Sequence, residues 1–157
     1  MTAIRPRRLN LEASLTPEIL FSAASMTAIA GWLVLAAGIV LKRPLLRDTI
    51  AGLAVPLVLS LVYAALIALY WSGTEGGFDT LANVQRLFTS PWAALAGWIH
   101  YLAFDLFIGA LLSRRIMEAG LPRLVLVPVL PLVFLFGPIG FALGQSILFT
   151  RNPAAAP

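Results

Sequence analysis

A single charged side chain, Asp105, interrupts four long apolar runs: Ile19–Leu41, Thr49–Thr74, Leu87–Ser113 and Leu124–Thr150. A helix needs about 20 mostly apolar residues to cross the hydrocarbon of a bilayer, and each run reaches that length. Strands are disfavoured, because the runs do not alternate polar with apolar and an open sheet edge in hydrocarbon leaves backbone groups unpaired. Composition agrees: the chain is 60% hydrophobic and 11% charged, whereas soluble domains are about 45–50% apolar and about 25% charged. The expectation is an all-α integral membrane bundle of four transmembrane helices, over about 19–41, 49–72, 91–115 and 122–149. They form one domain across 19–150, between a basic polar tail at 1–18 and a short tail at 151–157.

Segments rich in charge, Pro and Gly separate the runs: "LKRPLLRD", "SGTEGGFDT" and "RRIMEAGLPR". In "TSPW", Ser90 suits an N-cap and Pro91 the first helical position, where a missing N–H would have been unpaired anyway. Pro56, Pro128, Pro131 and Pro138 lie inside spans, so kinks are expected in the second and fourth helices. Gly137, Gly140 and Gly144 read as a close-packing stripe on the fourth. The longest loop, "GTEGGFDTLANVQRLFTSPW", reads as an interfacial half-turn anchored by Phe78, Leu81 and Trp92, with a substrate lid as the alternative. With four crossings, loops one and three hold six basic residues against five on the other side, a difference too small to orient the bundle strongly. The closeness of those six to helix ends favours a cytoplasmic placement for loops one and three.

Other classes are excluded. The net charge of +4 is accounted for by basic residues flanking membrane spans, and no nucleic-acid-binding pattern accompanies it. Zero cysteines removes disulfides, thiol nucleophiles and thiolate metal sites. No nucleotide-binding glycine pattern and no histidine-rich metal motif is present. The first apolar run is longer than the core of a signal peptide and reads as a retained helix.

Within "GWIHYLAFDLFIG", Gly97–Gly109, stand the only histidine, His100, and Asp105. An Asp at the centre of a spanning helix costs about 2.5–3.5 kcal/mol, so it must face the bundle interior, carry a proton or hold a partner. At 100° per residue His100 and Asp105 point about 140° apart with about 7.5 Å of rise, so the two serve different neighbours. Tyr101 and Trp98 share the Asp105 face. His100 shares a side with small residues, which suits an interhelical hydrogen bond. Each polar group has two readings, chemistry or helix-to-helix glue, and a lone histidine makes no metal site.

"FSAASMTAIAGWLVL", "GGF" followed by "LFTSPWAALAGWIHYLAFDLFIG", and "GLPRLVLVPVLPLVFLFGPIG" together resemble the abscisic-acid-deficient family, small membrane proteins that include plant neoxanthin synthase. The similarity runs from about Phe21 to Gly144 and is strongest over Ser90–Gly109. The family pattern carries an asparagine in helix one where this chain has Ser25, so no polar contact is carried over there.

The resemblance implies a carotenoid-like or other isoprenoid lipid as substrate or ligand and an isomerisation in which an epoxide opens while a neighbouring polyene carbon loses a proton. Such chemistry needs an acid and a base and no redox cofactor. By resemblance Asp105, His100 and Tyr101 are the proton-handling candidates, with Trp98, Gly97, Phe104 and Trp32 as the substrate-lining ones. A bacterial inner membrane and a homo-oligomer fit this reading. A non-catalytic pigment-binding or assembly factor, and a proton or small-solute transporter using Asp105, are the alternatives.

Overall fold

The computed structural model describes residues 16–151. They form α1 (Pro17–Val40), a π-helical stretch (Leu45–Ala54) running straight into α2 (Val55–Tyr70), a short α3 (Leu81–Leu87), α4 (Pro91–Glu118) and α5 (Leu126–Arg151). No strand occurs among the described residues. Four helical stretches are long and apolar enough to cross a membrane: Pro17–Val40, Leu45–Gly73, Pro91–Glu118 and Arg123–Thr150. The all-α class and the count of long apolar helices expected from sequence are both present.

Local signals explain where these helices begin. Thr16 caps α1 by accepting from the Ile19 N–H at 3.4 Å, and Pro17 occupies the first helical position. Ser90 caps α4 by accepting from the Ala93 N–H at 3.5 Å, as "TSPW" foretold. The second span starts at Leu45, earlier than its apolar run, because Arg47 and Asp48 form a bidentate pair, both bonds 2.7 Å, that lets two charges enter the helix together. The kink expected from Pro56 takes the form of the wider π-helical stretch just before it, where the proline's missing N–H shifts the backbone bonding register.

The central helix is α4. Half of its most apolar window is buried (50%), against 22–28% for the other three spans. Leu95, Ile99 and Leu102 pack on α1 and α2 at one end, and Leu106, Ala110 and Ile116 pack on α1, α2 and α5 at the other.

The kink expected in the fourth helix is a reversal. At Phe136 the backbone leaves the helix (φ −143°, ψ 57°). Pro138 supplies no N–H for the Phe134 carbonyl and its ring crowds that carbonyl, so the helix cannot continue. Beyond the break α5 folds back on itself. A side-chain carbon on Gly140 would strike the backbone of Leu132 and Val133, residues that a straight helix holds about 10 Å away. Gly137 lies against Asp105, and seven residues later Gly144 lies against Leu112, where a Cβ would be 2.9 Å from a Leu112 methyl. The second half of α5 therefore runs parallel to α4. The first half runs antiparallel: Arg123 donates to the Val40 carbonyl at 3.3 Å, and Leu135 meets Tyr101. Val125, Val129, Leu143 and Ile147 consequently join one cluster around Leu112.

Candidate functional site

The helical geometry of α4 divides its motif between two sides of the bundle. His100 faces α2, where its ring stacks on Phe104 (centroids 4.7 Å, 22°) and meets Tyr63 at 5.6 Å and 60°. The interhelical hydrogen bond expected of the imidazole is replaced, among the described residues, by these ring contacts. The physical reason is that Ala93 and Ala96, the small residues on this side, leave open space instead of admitting a polar partner. That space is a cavity of about 500 Å3, lined by Tyr63, Trp71, Phe78, Phe88, Gly97 and His100, among others. Gly97 is needed for its shape, because a Cβ there would lie 2.7 Å from the Phe88 ring.

Aromatic pairs frame the mouth of this cavity. Phe78 stacks on Trp71 (5.4 Å, 21°), and Tyr70 stacks almost flat on Trp92 (4.0 Å, 3°). Between them lies α3, an element within the loop read from sequence as a half-turn. Thr80 caps it by accepting from the Asn83 N–H at 3.2 Å. The Asn83 amide also donates to both Asp79 oxygens at 2.9 and 3.1 Å, which holds that carboxyl below the usual carboxylate range.

Asp105 and Tyr101 face the other way, towards the reversal of α5. Asp105 is 6% exposed, its carboxyl fills the space a Gly137 side chain would occupy, and its Oδ2 has no hydrogen-bond partner among the described residues. One turn earlier, Tyr101 donates to the Leu135 carbonyl at 3.0 Å. Trp98 extends this side. It stacks on Tyr101 (5.7 Å, 20°) and Phe21 (5.5 Å, 31°) and donates its indole N–H to Ser25 at 3.0 Å, so the serine in helix one does carry a polar contact. Trp32 packs on Gly109, where a Cβ would lie 2.6 Å from the indole, and meets Phe134 edge-on at 5.4 Å.

Of the seven residues singled out from sequence, Gly97 and His100 line the cavity with Phe104 stacked behind, whereas Trp98, Tyr101, Asp105 and Trp32 gather around α1 and the apex of α5. Tyr63, Trp71, Phe78 and Phe88 complete the cavity and were not singled out as its lining. Only Tyr63, a phenol in an otherwise apolar span, carried a signal. No cluster of three metal-ligating side chains occurs among the described residues.

A lipid-depth bundle with a ligand-sized apolar cavity and one imidazole in its wall defines a multi-pass α-helical membrane protein built to face an apolar small molecule. The chain belongs to the ABA DEFICIENT 4-like family, whose sequence profile matches residues 19–143. That match takes in α1 through α4 and the reversal of α5. No curated protein and no solved structure matches the chain.

Proposed function

We propose that this protein binds a carotenoid-like or other isoprenoid lipid in the cavity between α2 and α4 and isomerises it by proton transfer. Family membership supports the ligand class. The observation that carries the site is the exposed imidazole of His100 in the wall of a cavity of about 500 Å3 made otherwise of rings and aliphatic carbon. Histidine gives and takes a proton near neutral pH, and Tyr63 across the cavity is a second O–H donor. On an epoxide, protonation of the ring oxygen accompanies C–O cleavage, while a base removes the proton from the adjacent polyene carbon and that electron pair forms the new double bond. The proton count is unchanged and no oxidant is consumed. Asp105 and Tyr101, the motif's other proton-handling groups, act in this reading from the opposite side of α4, through the position of α5. We assign the protein to a bacterial inner membrane, with a homo-oligomer compatible with its lipid-facing surface.

Expression in a pigment-producing bacterial host tests this. Coloured lipid should copurify, and a product of equal mass should accumulate. His100→Gln should stop the conversion while bound pigment remains. Undiminished conversion by that variant contradicts the chemistry, and purification without any isoprenoid contradicts the ligand class. A binding or assembly role is the second reading, favoured by the use of Tyr101 and Asp105 in packing, and it would leave the copurified lipid unchanged.

A further inference from the structure

We infer that the last apolar segment is re-entrant: it enters and leaves the membrane on the same face, with its apex held at mid-depth by Tyr101 and Asp105. Three observations converge on this. Gly140 lies against the backbone of Leu132 and Val133, which brings the two halves of α5 side by side. Its second half descends in step with α4, Gly137 at Asp105 and Gly144 at Leu112. Its first half begins beside the end of α1, where Arg123 reaches the Val40 carbonyl.

Lengths fit the same conclusion. The halves, Leu126–Leu135 and Gly137–Arg151, rise about 15 and 22 Å, so each covers roughly half to two thirds of a hydrocarbon core of about 30 Å. Asp105 falls at the centre of the 28-residue α4, which sets the apex near mid-depth. Non-helical backbone at that depth requires partners within the protein. Tyr101 supplies one to Leu135, and Asp105 packs against Gly137, at the start of the second half.

Charge distribution follows from the reversal. Arg151 moves to the face of loops one and three, and six basic residues against five become seven against four. Lys42, Arg43, Arg47, Arg114, Arg115, Arg123 and Arg151 then share one face, and Arg86 with the arginines preceding α1 share the other. The positive-inside tendency places the seven in the cytoplasm, together with the end of α5.

The natural absence of cysteine makes the test direct. Single-cysteine variants Gly73→Cys, Ala119→Cys and Ala155→Cys of the full chain are probed with a membrane-impermeant maleimide in intact cells and in inverted vesicles. Ala155→Cys should label with the sidedness of Ala119→Cys and opposite to Gly73→Cys. Labelling of Ala155→Cys on the side of Gly73→Cys would overturn re-entrance and restore a full crossing. All three substitutions lie outside the packed helices, and the Ala119/Gly73 pair reports correct insertion in the same experiment.

Discussion

Tyr101 places its hydroxyl 3.0 Å from the Leu135 carbonyl, one residue before the backbone of α5 breaks at Phe136. In an uninterrupted helix the Ile139 N–H would take that carbonyl. The reversal frees it, and a side chain from α4 replaces the lost partner. Tyr101→Phe removes the donor without changing the ring, leaving a freed carbonyl in hydrocarbon. An unsatisfied buried group costs about 1–3 kcal/mol, so unfolding in mild detergent should show a loss in that range. An unchanged midpoint would mean that lipid-facing water or another donor serves Leu135.

Asp105 and Gly137 occupy one another's space. Gly137→Ala should therefore be destabilising by about 1–3 kcal/mol through overpacking, with much of the loss absent when Asp105 is Ala. The double-mutant cycle measures this coupling directly. Additive effects would show that the carboxyl and the glycine do not meet.

Trp98 and Ser25 join α4 to α1 by one hydrogen bond. Interhelical bonds of this kind in membranes average about 0.6 kcal/mol, so Ser25→Ala should cost little stability. Ser25→Asn should keep an acceptor for the indole. Trp98 fluorescence should shift in the alanine variant and stay near the parent value in the asparagine one.

Asp79 gives a pH dependence confined to α3. Its carboxyl is held below the usual range by Asn83. A lowered folded-state value contributes stability that is present above the unfolded carboxylate's pKa and is lost as pH falls through the lowered value. Amide exchange in Leu81–Leu87 should therefore accelerate on acidification through that window, and Asn83→Ala should abolish the change.

The sequence made the spans, the caps and the two-sided character of α4 readable, because hydrophobic run length, Ser90–Pro91 and the 100° helical step are local properties. The reversal of α5 was not readable as such. "FGP" signals a break, but whether a break bends a helix or turns it back depends on Gly140 meeting Val133 and Gly144 meeting Leu112, contacts set by tertiary packing. Asp105 was recognised as an inward-facing group, yet its neighbour is a bare glycine, which leaves no chemical mark in the sequence. The cavity was half visible. His100 and Gly97 stood in a distinctive motif, whereas Phe88, Trp71 and Phe78 come from the loop and helix ends, where an aromatic residue reads equally well as an interfacial anchor.

The Gly97→Phe variant, purified gently beside the parent protein with extraction and mass analysis of bound isoprenoids, tests the His100 cavity most directly. A ring at that position meets Phe88 and fills the space beside His100. The parent should carry an isoprenoid lipid that the variant lacks, with both proteins folded alike by circular dichroism. Retention of the same lipid in the same amount by a folded Gly97→Phe would contradict binding between α2 and α4.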